Sequence, residues 1–194
     1  MNRTIEWTVL LCFPFVAGCY IPIPARPARV SQMTVIAVAS ANRSDTTPLR
    51  ENVGVKNVTG GINTNPILSH SNIGNDEFRG ALESSLKLAG LLERNIGEGK
   101  FLLCAQLLQV DHPFIGGDMT VATHILYILT DLKSGKEVYQ NTISAKYTAT
   151  ISDSFFGVNR LRIANEGSGR ENIARLIEGL RQLNISQGDV TLSP

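Results

Sequence analysis

A two-residue period in the segment 120–131 limits most strongly what this chain can fold into. The side chains of one face follow at every second position: Val121, Thr123, Ile125, Tyr127 and Leu129. That period is typical of a strand with one buried face. The turn at 133–136 contains Gly135, which can take a positive φ, and a return strand is predicted from Val138 to about Thr150. With a further apolar segment at 100–110, the sequence predicts a three-stranded meander.

Two helices are predicted around this meander. Asn75 is a favourable N-cap, and Asp76 and Glu77 place negative charge at a helix N-terminus. Apolar residues then recur at helical spacing, at Phe78, Ala81, Leu82, Leu86 and Ala89. A second set marks a C-terminal helix, at Ile173, Leu176, Ile177, Leu180 and Leu183. The segment 158–166 also reads as helical, and Gly167 and Gly169 leave open whether the two segments join.

Weaker strand patterns at 35–39 and 53–58 precede the first helix. The order of elements is therefore β-β-α-β-β-β-α. It predicts an α+β fold, with a mainly antiparallel sheet and helices packed on one face. We expect a single domain over residues 34–185 and a frayed polar tail over 186–194.

The N-terminal residues have a different character. Arg3 supplies one positive charge, an apolar run extends from Trp7 to Ala17, and Gly18 stands directly before Cys19. A run of about ten residues is too short to span a bilayer, which takes roughly 20, and it matches the apolar part of a signal peptide. We interpret residues 1–18 as that signal. One alternative is a buried N-terminal strand or helix that ends in cysteine, and another is plain cleavage of the signal that leaves the cysteine unmodified.

Residues 19–33 are predicted to form a tether. Pro22, Pro24 and Pro27 disfavour a helix and favour an extended segment. Once Cys12 leaves with the signal, Cys104 is the only cysteine besides Cys19. Its apolar neighbours predict a small buried residue and not a reactive thiol.

Charge is nearly balanced, at 18 basic and 17 acidic residues, with no run of like charges. This excludes the basic surface that nucleic-acid binding requires. Asp111, His112, Asp118 and His124 are the nearest approach to a metal or catalytic cluster, but their spacing matches no metal motif. We interpret 111–113 as a turn and His124 as a strand residue. No catalysis, metal or cofactor is expected.

Aromatic residues in two turns are candidates for contact with a partner. Phe155 and Phe156 lie in a polar, glycine-ended segment, and Phe114 lies in the earlier turn. One residue of the adjacent pair is expected to fill the seam between sheet and helix. The other, and Phe114, are predicted to be exposed for protein recognition.

The residues Val16-Ala17-Gly18-Cys19 resemble the lipobox of bacterial lipoproteins, in which the cysteine is acylated and becomes the new N-terminus. The resemblance implies that Cys19 carries the lipid and that the chain is membrane-tethered. Tyr20 is not the aspartate that retains many enterobacterial lipoproteins in the inner membrane. An outer-membrane, periplasm-facing location is therefore implied.

The segment 160–167, with 118–121 and 147–153, looks like a family of uncharacterised proteobacterial lipoproteins over about two thirds of the chain. The architecture is similar to that of small outer-membrane assembly lipoproteins, including those of lipopolysaccharide transport and curli secretion. With the lack of a catalytic motif, the similar architecture favours a non-catalytic binding or envelope-assembly accessory with an envelope protein partner. One alternative is a carrier or sensor of a small apolar or glycan ligand. Another is a hydrolase or transferase whose site is assembled from distant residues.

Overall fold

The structure, a computed structural model, describes residues 23–36, 47–66, 70–112, 117–186 and 189–192. Cys19 and Phe114 lie outside these ranges. The helices are α1 (Val30–Met33), α2 (Asn75–Leu88) and α3 (Gly157–Arg181). The strands are β1 (Val53–Thr59), β2 (Phe101–Asp111), β3 (Met119–Asp131), β4 (Glu137–Ala149), β5 (Leu183–Ser186) and β6 (Asp189–Leu192). None of the helices in this described part of the chain is long and apolar enough to cross a membrane.

The first four strands form one sheet in the order β1-β2-β3-β4. The predicted α+β class and the meander of β2, β3 and β4 are confirmed, since β3 pairs antiparallel with both neighbours. The sheet is mixed, however, and not mainly antiparallel as predicted, because β1 pairs parallel with β2. The parallel pairing is possible because α2 returns the chain to the end of the sheet where β1 begins, and β2 starts there.

Both long helices pack on the same face of the sheet, as predicted. α2 contributes Phe78, Leu82 and Leu86 to the core, and α3 contributes Ile173, Leu176, Ile177 and Leu180. They meet the inward side chains of the sheet: Leu103, Ile125, Tyr127 and Leu129. All of these residues are fully buried. The apolar stripes in the sequence therefore become one continuous core.

The opposite face of the sheet has no covering element among the described residues. Leu102, Cys104, Leu126 and Ile128 lie on it and are half-buried. The prediction that Cys104 is buried is therefore wrong, because its strand turns that side chain away from the helices. β4 forms one edge of the sheet.

The two predicted C-terminal helical segments join into α3, a single helix of 25 residues. Gly167 lies inside it because α3 approaches β4 closely at Tyr147. A Cβ at position 167 would overlap the Tyr147 ring, at 2.7 Å from Cδ2 and closer still to Cγ and Cδ1. The glycine that made the junction ambiguous in the sequence is thus required by packing.

Three terminal regions differ from the sequence prediction. Val35 and Ile36 are not in a strand, and the remainder of the predicted strand 35–39 lies outside the described residues. Residues 23–33 of the expected tether pack on α2 and α3, where Ala25, Ala28 and Met33 are buried. In the tail that was expected to fray from residue 186, β6 pairs antiparallel with β5.

Candidate functional site

The loops that carry most of the candidate residues lie at one end of the domain. β2 ends at Asp111, opposite the start of β3, and Met119 pairs with Ala149 at the end of β4. The loop 150–156 then leads into α3. We call this end of the sheet, with the described segments 60–66, 70–74, 111–112, 117–118 and 150–156, the loop end.

Asn165, a fully buried residue of α3, links two of these segments. Its Nδ2 donates to the carbonyl of Ser71 at 2.7 Å, and its Oδ1 lies 3.1 Å from Nε2 of His112. Because Nδ2 is committed to a carbonyl, Oδ1 is the acceptor, and a neutral His112 donates to it from Nε2.

Burial lowers the pKa of His112, and the hydrogen bond to Asn165 opposes this shift. The neighbouring His70 ring also lowers it; the two ring centroids lie 5.5 Å apart. The neutral form of His112 therefore suits the site, and its role is to fasten the end of β2 to α3.

Glu166 fastens the N-terminal segment to the same turn of α3. Its carboxylate is nearly completely buried and accepts three hydrogen bonds from Arg29: from the backbone N at 3.0 Å, Nε at 2.8 Å and Nη2 at 2.9 Å. Arg162 lies 3.8 Å away as a second cation. The segment 160–167 therefore joins three separate parts of the chain. This role was not recognisable from the sequence, because the partners lie between 53 and 137 positions away.

The loop 150–156 beside this junction exposes three apolar side chains, which we call the aromatic patch. It consists of Ile151, Phe155 and Phe156, which are 56%, 82% and 51% exposed. The two aromatic rings contact each other edge to face at 5.7 Å between centroids. The prediction that one of them fills the seam is wrong, since Leu161, Ala164, Val121 and Ala149 fill it. Both phenylalanines are thus available for contact.

The loop that carries this aromatic patch is braced by hydrogen bonds. Arg160 Nη1 donates to the carbonyls of Ser154 and Phe155 at 2.8 and 2.7 Å. The carboxylate of Asp153 accepts from the backbone N and the hydroxyl of Thr150 at 2.7 and 3.0 Å, and these bonds lower its pKa. The loop is therefore built to hold apolar side chains in solvent at fixed positions.

The candidate catalytic residues come together only in part. His124 Nδ1 lies 2.7 Å from Ser144 Oγ, and its Nε2 lies 3.4 Å from Asp111. Serine, histidine and aspartate are the types found in hydrolase triads. These three side chains form a row on the open face of the sheet and do not line a cleft. A hydrolase needs N–H donors aimed at the reacting oxygen in a site that excludes water. Asp118 is exposed apart from the row. In the part of the chain that the structure describes, no cluster of His, Cys, Asp and Glu could hold a metal ion.

A polar cleft of about 250 Å³ lies beside Glu166. Arg29, Gln32, Tyr147, Asp153, Ile163, Glu166 and Arg170 line it. Its arginines are already engaged: Arg29 binds Glu166, while Arg170 donates to the carbonyl of Gln32 at 2.9 Å and lies over the Tyr147 ring. We therefore interpret the cleft as part of the contact between the N-terminal segment and α3.

No protein-family model and no curated protein matches this sequence. Among solved structures, the fold is similar to that of protein XCC0632 from Xanthomonas campestris, of the family DUF330. The TM-score is 0.50 at 10% identity, over 65% of this chain and 81% of that one. Looser similarities are to protein CT253 from Chlamydia trachomatis (TM-score 0.47, 10% identity, 68% and 98% covered) and to a minor lipoprotein from Acinetobacter baumannii (0.44, 8%, 68% and 90%). At 10% identity, the comparison with XCC0632 shows a similar fold alone.

Proposed function

We propose that this chain is a bacterial outer-membrane lipoprotein, anchored through a lipid on Cys19 and facing the periplasm. It acts as a binding or assembly accessory for an envelope protein, without catalysis. The short apolar run and the small residues before Cys19 support the anchor. The exposed binding surfaces of the domain support the accessory role.

The observation that carries this proposal is the free edge of the sheet at β4. This strand is 13 residues long, and no further strand pairs with its outer side among the described residues. Gln140, Asn141 and Thr142 are exposed along it. Long edge strands offer unpaired backbone groups to another chain, and many proteins bind partners by adding a strand there.

The edge is protected only toward one end. The carbonyl of Ser144 accepts a hydrogen bond from Arg175 Nη1 at 2.7 Å, and Lys146 adds an exposed charge two residues later. Lysine on an edge strand discourages unselective pairing. The segment 137–142 therefore remains as the portion open to a specific partner.

The other candidate functions find less support. A carrier of an apolar ligand needs a large apolar cavity, whereas the cleft beside Glu166 is lined mostly by charged and polar side chains. A hydrolase needs a buried reaction site, whereas the row at His124 is exposed. The edge of β4 needs no such feature to bind a protein.

Site-specific photo-crosslinking in intact cells tests the accessory role. A photo-reactive amino acid at Thr142 is expected to give a discrete crosslinked protein. The same amino acid at Lys87 is expected to give none, because Lys87 is exposed on α2, which packs near β1 at the opposite edge of the sheet. Both positions are exposed, so neither substitution disturbs the fold. An identical pattern from the two positions, or no product from Thr142, would contradict binding at this edge.

A further inference from the structure

The described chain enters the domain at the loop end. Ser71 Oγ donates to the carbonyl of Arg26 at 2.8 Å, and Ser71 is itself held by Asn165. Nine residues after Arg26, the backbone N of Val35 donates to Ser85, which lies well along α2. Followed backwards from Val35, the chain therefore runs toward the loop end and leaves the domain there.

The length of chain beyond the described residues limits how far the domain can stand from its anchor. Four residue steps separate Cys19 from Ile23. A fully extended chain covers at most about 3.5 Å per residue, so Cys19 lies within about 14 Å of Ile23 whatever its conformation. Because Ala25 is already buried on the domain, the tether ends far earlier than the proline-rich sequence predicts.

We propose that the loop end rests on the membrane and that Ile151, Phe155 and Phe156 insert into the lipid headgroup region as a second point of attachment. This inference rests on the proposed acylation of Cys19, which fixes the bilayer within reach of the loop end. In this orientation β4 ends at Ala149 near the membrane, and the open part of its edge, 137–142, lies at the end of the sheet away from the bilayer.

The chemistry of the aromatic patch fits a lipid surface. Three apolar side chains of one loop are exposed. The Arg160 guanidinium donates to the carbonyl of Phe155, and the Asp153 carboxylate accepts from the backbone N of Thr150, and these bonds hold the loop in place. Transfer of such side chains from water into the headgroup and acyl boundary is favourable in proportion to the apolar area that leaves water. A single apolar loop adds modest affinity alone, but next to a covalent lipid it sets the orientation of the domain.

Tryptophan fluorescence tests this orientation. The chain has a single tryptophan, Trp7, which lies in the predicted signal, so the mature protein has none. Phe155→Trp therefore introduces one reporter at the loop end. Leu132→Trp is the matched control, because Leu132 is 52% exposed and follows β3 at the opposite end of the sheet. Both proteins are prepared as acylated, full-length mature chains and inserted in vesicles of phosphatidylethanolamine and phosphatidylglycerol, with or without lipids brominated near the headgroup.

We expect the emission of Phe155→Trp to shift to the blue and to lose about half of its intensity in brominated vesicles, as for a side chain at the interface. The emission wavelength and intensity of Leu132→Trp should not change. Unquenched emission from Phe155→Trp in vesicles that float with the protein would overturn the inference and leave the anchor intact. So would a blue shift that arises only when envelope proteins are added, because the aromatic patch would then have a protein partner. Failure of the unsubstituted protein to float would instead contradict the anchor itself.

Discussion

Replacing Gly167 with alanine is expected to lower the free energy of unfolding by about 2–3 kcal/mol. The new Cβ would overlap Cγ and both Cδ atoms of the Tyr147 ring. Since Cγ is fixed by the first side-chain torsion, the ring cannot avoid the methyl group by moving only its tip. Either α3 or β4 must shift. Urea denaturation of the variant measures the effect, which exceeds the roughly 1 kcal/mol that alanine gains over glycine in a helix.

Gly169→Ala is the matched control in the same helix. Its Cβ would meet Met33 Sδ at 3.0 Å, and methionine can change rotamer to make room. We expect its stability to stay within about 1 kcal/mol of the parent. In a Tyr147→Ala background, Gly167→Ala should lose its cost, because the overlapping ring is gone. Equal costs in both backgrounds would contradict the proposed close approach of α3 and β4.

Replacing Asn172 with alanine is expected to cost about 3 kcal/mol, because it leaves buried polar groups without partners. The side chain is fully buried between α3 and the sheet. Its Oδ1 accepts from Tyr127 Oη at 2.9 Å, and its Nδ2 donates to the carbonyl of Ile143 at 2.9 Å and lies 3.2 Å from Thr123 Oγ1. Burial raises the pKa of the Tyr127 phenol well above its ordinary value, so the hydroxyl stays protonated and needs an acceptor.

Tyr127→Phe separates the cost of an unpartnered hydroxyl from the loss of packing. Alone it removes one hydrogen bond, worth about 1 kcal/mol. Combined with Asn172→Ala it removes the hydroxyl that the first change left unpaired. The double variant should therefore be more stable than the sum of the two single effects predicts. If the two changes in the free energy of unfolding simply add in the double variant, as measured by thermal or urea unfolding, the result would contradict the hydrogen bond between these side chains.

The parts of the fold that depend on local pattern were predictable from the sequence. The meander follows from the two-residue period around Ile125, and α2 follows from helical spacing after Asn75. The parallel pairing of β1 with β2 was missed, although the order of strand, helix and strand in that region is what such a pairing needs. α1 and the docking of residues 23–33 were missed for a different reason. The prolines there predict an extended tether, whereas the bonds between Arg29 and Glu166 are contacts across 137 positions that no local pattern reveals.

The candidate site was predictable in its residue types but not in its geometry. Phe155 and Phe156 stand out in sequence because apolar rings are rare in a polar turn. Their joint exposure depends on Leu161 and Ala164, which occupy the seam in their place. The structural role of Asn165 and Glu166 was hidden, because polar residues in a helix are usually solvated and these two are buried only through partners from distant segments.

Mass spectrometry of the N-terminal peptide of the mature protein, purified from the cell envelope, tests the central claim most directly. The account predicts a peptide that begins at Cys19 and carries several acyl chains, and it predicts that Cys19→Ala abolishes labelling by a palmitate analogue. A mature N-terminus at another residue, an unmodified Cys19, or labelling that persists in Cys19→Ala would contradict the account.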